Sequence, residues 1–267
     1  MVNLLSRAWR KRYTERSMGR IGQADIWQRG RLAVAKTLRL DLTHAQTRYA
    51  SILESYVSPG IKWLEIGCGR RIVPDWAMPM DEQERMASAP SLLVGVDVDK
   101  AIQEHPLLRD RVMALGGNLP FAPNSFDLVT ANMVVEHLSE PEPFLADIHR
   151  VLRPGGRFLF HTTNYSYYLA ILASLTPDVM KKQIVFLLEG RKEEDVFPTR
   201  YKINTRREIN RLAARSQFAV ERLMVTGSSG SFARLGPVAW LECLVLKLVS
   251  TIDGGNLNSN IIAVLRR

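Results

Sequence analysis

The sequence predicts a doubly wound α/β fold, and three observations carry that prediction. Short β-rich runs alternate with helical patterns between about residues 62 and 156. The runs are continuously apolar rather than alternating, as parallel strands covered by helices on both faces are. The first run, Trp63-Leu64-Glu65-Ile66, enters the turn Gly67-Cys68-Gly69. In a doubly wound sheet such a turn lets a ligand approach the backbone where the next helix begins.

The elements follow in order. Residues 1–31 form a basic arm with eight Lys/Arg against Glu15 and Asp25, read as helical. Thr43-x-x-Gln46 reads as a capping box for a helix reaching about Val57. Pro59-Gly60 then stops the chain before the first strand, 62–66. Further strands are expected at 92–98, 111–115, 126–131 and 157–160. Ser139-x-x-Glu142 would cap a helix with Phe144, Leu145, Ile148, Val151 and Leu152 on one face, closed by Pro154-Gly155-Gly156. Residues 165–188 are apolar at helical spacing and lead to a charged loop at 189–195. Thr205-x-x-Glu208 caps a helix to about Arg215, and 218–226 alternates as a strand does. Val238, Leu241, Leu244, Val245, Leu248 and Val249 make a helical stripe before a β-rich run at 260–265. Four segments result: an arm or cap at 1–58, the core at 59–164, a helical insertion at 165–204, and the remainder of the sheet with an apolar helix at 205–267.

Composition narrows the classes. Of 267 residues 46% are hydrophobic and 24% charged, enough apolar material for a core and too much for a disordered chain. Cys68 and Cys243 are the two cysteines; they offer neither a disulfide framework nor a metal-ligand spacing, so no metal is expected and the location is taken as cytoplasmic. No secretory signal is read at the start, and the longest apolar stretch, 238–249, is broken by Glu242 and Lys247. The basic arm suits nucleic acid, anionic lipid or an acidic substrate, but no aromatic platform accompanies it, which disfavours nucleic acid. Asp97 ends the second strand, where a carboxylate can accept hydrogen bonds from both hydroxyls of a ribose lying across the crevice.

A resemblance joins these readings. Leu64-Glu65-Ile66-Gly67-Cys68-Gly69, Gly95-Val96-Asp97-Val98-Asp99, Leu119-Pro120-Phe121, Ser125-Phe126-Asp127-Leu128-Val129, Glu136-His137-Leu138 and Arg150-Val151-Leu152-Arg153-Pro154-Gly155-Gly156-Arg157-Phe158 occur in that order. Over about residues 60–164 they resemble the class I S-adenosylmethionine-dependent methyltransferases of the methyltransferase type 11 group. The resemblance implies a Rossmann-like seven-stranded sheet in the order 3-2-1-4-5-7-6, strand 7 antiparallel, with 218–226 and 260–265 as its last strands. It implies S-adenosyl-L-methionine as cofactor. Glu65, Gly67, Cys68 and Gly69 would surround its methionine portion and Asn132 would lie beside it. Asp97 would hold the ribose, Val98 would pack on the adenine, and Asn118 and Leu119 would sit at the adenine edge.

Two positions depart from the family pattern. Arg70-Arg71 stand where a third glycine is usual, and Leu115 stands where many relatives have an aspartate for the adenine amino group. Both favour, as an alternative, a catalytically degenerate binding or scaffold protein. A nicotinamide-dependent dehydrogenase fits poorly, since the last glycine is missing. Groups able to assist transfer must lie at the carboxyl ends of the fourth and fifth strands. Glu136, His137, His161 and Asn164 qualify, with His137 and His161 the candidates for proton transfer. The acceptor is expected to be a small molecule, a hydroxyl on a sugar, lipid-linked or secondary metabolite. Residues 195–205 resemble a subset of bacterial methyltransferases of polysaccharide or lipid-linked sugar loci. Tyr165, Tyr167 and Tyr168 could roof the pocket. The apolar stretches 169–188 and 238–252 could touch a lipidic substrate or a membrane surface, or serve as core and cap helices.

Overall fold

The computed structural model describes residues 23–167, 199–227, 238–252 and 256–267. The insertion expected at 165–204, Tyr168 included, falls mostly outside the described residues. The chain divides into two compact units, residues 1–41 with 230–248, and residues 42–229 with 249–267.

The larger unit holds the sheet. Its strands are β1 (Lys62–Ile66), β2 (Leu92–Asp97), β3 (Asp110–Met113), β4 (Phe126–Asn132), β5 (Leu152–Thr163), β6 (Ala219–Thr226) and β7 (Asn260–Arg266). They are ordered β3-β2-β1-β4-β5-β7-β6, with β7 antiparallel to both β5 and β6, the order and direction the resemblance implied. The run expected at 111–115 is a strand only to Met113. The fifth strand starts earlier than expected, at Leu152, because the ladder to β4 resumes across an irregularity between Phe126 and Leu128 and takes Pro154-Gly155-Gly156 into the strand.

Side chains alternate across the sheet and divide the core in two. Leu64, Ile66, Val129, Ala131, Phe158 and Phe160 pack on one face with Phe144, Leu145 and Ile148 of a helix at Pro141–Val151 and with Ile209 and Leu212 of a helix at Arg206–Arg215. Trp63, Leu128, Leu159, Ile262 and Val264 pack on the other with Tyr49, Ala50 and Leu53 of a helix at Ala45–Tyr56 and Met86 of one at Met80–Ser88. In chain order these helices are α2 (Ala45–Tyr56), α3 (Met80–Ser88), α4 (Pro141–Val151) and α5 (Arg206–Arg215). In the smaller unit, α1 (Gln23–Thr37) and most of α6 (Val238–Ile252) are the described helices.

Two of the three expected caps differ. At α2 the capping side chain is His44, whose Nδ1 accepts the Gln46 N–H. At α4 the cap position is Glu140 with no side-chain bond, and Pro141 at the first helical position supplies the pre-set φ that a capping box would otherwise favour. Thr205 does cap α5: its Oγ1 accepts the Glu208 N–H at 3.2 Å and donates to Glu208 Oε2 at 3.0 Å.

Candidate active site

The carboxyl ends of β1, β2, β4 and β5 bring most of the expected residues together. Gly67 and Gly69 both have positive φ, 65° and 48°. At Gly67 a Cβ would stand 2.3 Å from Val134 Cγ2, so the loop after β4 closes directly on the backbone of the turn; at Gly69 a Cβ would face open space. The Gly69 N–H donates to Asp97 Oδ2 at 2.8 Å and the Asp99 N–H to Asp97 Oδ1 at 2.9 Å. Each carboxylate oxygen thus uses one backbone donor and retains a lone pair. The Cys68 carbonyl takes the Arg71 N–H, and burial, first, pushes its thiol up, which keeps that sulfur unreactive. Arg70 points outward to Glu104, 2.8 Å away, with both side chains about two-thirds exposed at 65% and 66%; it does not crowd the turn.

Glu65 lies on the α2 side of β1, directly paired with Thr130 of β4. It is fully buried. Its Oε2 accepts from the Thr130 hydroxyl, which in turn accepts from Trp63 Nε1. Oε1 has no partner. Burial pushes the carboxyl up to about 8, against the hydrogen bonds that pull it down. The Tyr49 phenol is raised by burial and by the Glu65 charge beside it.

Beyond Thr130 the same face carries a polar row. Asn132 pairs in register with His161. Asn132 Nδ2 donates to Gln46 Oε1 at 2.9 Å and to the Ile72 carbonyl at 3.2 Å, and the backbone acceptor fixes which end of the amide faces outward. Its Oδ1 is therefore the atom 2.9 Å from His161 Nδ1, and Nδ1 carries the proton. Burial lowers the His161 imidazole to about 4, against the Asn260 contact that raises it. His161 Nε2 lies 3.0 Å from Asn260 Oδ1, and the Asn260 amide N–H donates to the Ser259 hydroxyl at 2.7 Å. The ring also stacks on Tyr49 at 5.6 Å. Met133, next after Asn132, sits at φ 59° with its N–H on the His161 carbonyl, an unusual backbone for a non-glycine residue at the rim of a crevice.

The other expected residues divide. Val98 is 52% exposed, and Met113 and Leu115, at 50% and 70%, follow at the end of the neighbouring strand, so this end of the sheet offers an apolar shelf. Leu119 is buried, its N–H bonded to Asp147 Oδ2 at 2.6 Å and its carbonyl to Arg150 at 2.9 Å; its N–H is thereby committed to α4 and is not available to an adenine edge. Asn118 is exposed beside it. Glu136 is buried and accepts from Thr162 Oγ1 at 2.8 Å, while its carbonyl takes the N–H groups of Arg200 and Tyr201. His137 is half-buried at the end of a short turn of helix, Val135–His137. Asn164 is spent on structure, donating to the Asn256 and Asn258 carbonyls and accepting from Ser166. The Tyr165 and Tyr201 rings meet at 5.2 Å, tilted by 35°. An open depression of about 530 Å³ lies between the starts of α4 and α5, lined by Glu140, Pro143, Tyr201, Lys202 and Arg211 among others. Among the described residues no cluster could hold a metal ion.

Sequence reasoning missed Thr130, Tyr49, Gln46 and Asn260. One signal was available: Glu65 and Thr130 are polar residues inside otherwise apolar strands, and buried polar groups need each other.

Residues 64–160 match the methyltransferase domain family. These residues form a methyltransferase domain of class I, and S-adenosylmethionine is its cofactor. The domain is 36% identical over 105 residues to an S-adenosylmethionine-dependent methyltransferase of Mycolicibacterium smegmatis, covering 38% of this chain and 37% of that protein. It is 28% identical over 127 residues to the ubiquinone biosynthesis O-methyltransferase of Pseudomonas entomophila, covering 43% and 51%. The chain therefore spans about half or less of the curated relatives it matches. The crystal structure of an S-adenosylmethionine-dependent methyltransferase from Mesorhizobium loti superposes with a TM-score of 0.54 at 15% identity, over 85% of this chain and 100% of that one. This last likeness bears on the fold of the domain.

Proposed function

We propose that the chain transfers a methyl group from S-adenosylmethionine to a hydroxyl of a small-molecule acceptor. The observation that carries this is the cradle at the first glycine turn. Asp97 closes the turn through Gly69 and keeps a lone pair on each oxygen. Gly69 leaves room above its Cα. Glu65 Oε1 is buried and unpartnered, so a cationic group beside it would draw the proton off the carboxyl and pair with the carboxylate.

In this reading Glu65, with the backbone of Gly67, Cys68 and Gly69, holds the amino-acid portion of the cofactor. Asp97 takes the two ribose hydroxyls, and Val98, with Met113 and Leu115, packs against the adenine. Asn118 serves the adenine edge, whereas Leu119 only shapes its wall. Asn132 is a positioning residue, clamped by Gln46, Ile72 and His161 so that α2 and the loop after β1 stay fixed over the crevice. His161 holds that clamp and moves no proton, because both its nitrogens are engaged and its ring is buried.

The cofactor brings the activated methyl and its leaving group, so alignment is the domain's main task. A hydroxyl acceptor still benefits from a base, and His137 is the candidate with a half-exposed ring near the ends of the strands. The open depression lined by Lys202, Arg211 and Glu140 is polar, as a surface that meets a sugar would be. The O-methyltransferase named among the relatives favours oxygen as the atom methylated.

One observation favours a second reading, a binding subunit without turnover. Leu115 is apolar and the Leu119 N–H is already committed, so polar contacts to an adenine are few.

Two measurements separate these readings. Calorimetric titration with S-adenosylhomocysteine is expected to show one site per chain; absence of heat and of any thermal shift overturns both. With an acceptor found by following labelled methyl from S-adenosylmethionine into a cell extract, His137→Ala is expected to lower kcat about a hundredfold and leave cofactor affinity unchanged. An unaltered kcat removes His137 from the chemistry, and no labelled acceptor at all favours the second reading.

A further inference from the structure

The smaller unit turns its polarity inside out. In α6, Glu242 and Cys243 are buried, whereas Leu241, Leu244 and Leu248 are exposed at 60%, 54% and 59%. Their spacing places these leucines on one helical face. Gly30 of α1 is close enough to α6 that a Cβ there would meet the Trp240 ring at 2.6 Å. The Cys243 thiol lies 4.0 Å from the Arg31 carbonyl. The two helices thus pack through Gly30, Arg31 and Cys243, and the leucines of α6 are left outside. Leu32 of α1 is also outside, at 55%, on a strip with exposed Arg29 and Lys36.

Charge is concentrated in the same unit. Residues 1–41 carry ten Lys/Arg against three Asp/Glu, and residues 230–248 carry Arg234 and Lys247 against Glu242. That is +8 of the chain's formal +9, leaving the unit that holds the sheet almost neutral. Apolar side chains outside a helix pair, within a strongly basic unit, match one surface: the interface of an anionic bilayer, where leucines enter the acyl boundary and Lys/Arg meet phosphate. At 15 residues α6 is shorter than the ~20 a membrane span takes.

We propose that the α1/α6 unit is a peripheral membrane-docking surface selective for anionic phospholipid. Docking and methyl transfer are separate properties, and the membrane contact stands whether or not the proposed acceptor chemistry does. It would hold the domain beside a lipid-linked acceptor.

The test is co-sedimentation of the full chain with vesicles of phosphatidylcholine alone or mixed with phosphatidylglycerol. Binding is expected to the mixed vesicles only and to weaken as salt is raised. Leu244→Glu is expected to lower partitioning at least about tenfold, with S-adenosylhomocysteine affinity and melting temperature unchanged. Leu248→Glu, on the same face, serves as the second variant should the first fail to fold. Equal binding by wild type and both variants, no binding to anionic vesicles at low salt, or a dimer in solution that either variant dissociates would each overturn the proposal. The last outcome would assign the face to a second copy of this chain.

Discussion

Asp97→Ala is expected to weaken binding of S-adenosylhomocysteine at least about a hundredfold. Two things are lost together. The carboxylate no longer accepts two ribose hydroxyls, each such bond to a charged group contributing about 1.5–3 kcal/mol. The Gly69 and Asp99 N–H groups also lose their acceptor, so the turn between β1 and the following loop is no longer closed. Asp97→Asn keeps one acceptor oxygen and the shape, and is expected to fall between wild type and alanine. Calorimetry supplies the affinities, and a thermal melt without ligand shows whether the turn itself has failed. Unchanged affinity in Asp97→Ala would remove the cradle as the cofactor site.

Glu65→Gln should change how the protein responds to pH. With its carboxyl raised to about 8 from a reference value of 4.5, Glu65 is neutral in the folded protein where it would be charged in the unfolded one. The stability this contributes is fully present below about 4.5 and is lost as pH rises through about 8. The slope is up to about 1.4 kcal/mol per pH unit. Glutamine keeps the shape without the charge, so the melting temperature of the variant should exceed that of wild type above pH 8 and vary less between the two limits.

Binding couples in the opposite sense. A cationic amino group beside Oε1 favours the carboxylate, so wild type should release a proton on binding at neutral pH and bind more tightly as pH rises toward about 8. Titrations in buffers of different ionisation enthalpy count that proton. The variant should release none from this position and bind more weakly; equal proton release in both proteins would exclude Glu65 as the partner.

The sheet was legible because its central strands are written as largely apolar runs. β1, β2 and β4 fell within a residue of their expected bounds, and the resemblance supplied the order of β6 and β7. The caps of α2 and α4 were less legible. A Thr or Ser three residues before Gln or Glu is a short pattern, and here His44 and Pro141 perform the same tasks by other means. At the site, the glycine turn and Asp97 stand next to each other in space because β1 and β2 are neighbours, which the pattern already implied. The engagement of His161 was hidden. It depends on β7 lying beside β5 in a register that brings Asn260 to its ring, and on α2 delivering Gln46 to Asn132. The commitment of Leu119 to α4 likewise follows from Asp147 and Arg150 reaching across, a contact no local pattern announces.

The strand order also bears on how this protein acquires its structure. β7 is inserted between β5 and β6, and its first rung on β5 joins Thr163 to Asn260, so docking β7 on β5 closes a loop of ~100 residues. One half of the sheet can assemble from near neighbours in sequence, while the other must wait for a late, long-range event. Until then β5 presents an unpaired edge, open to other chains. Folding is thus slowest, and most exposed to aggregation, along the line where His161 will finally meet Asn260.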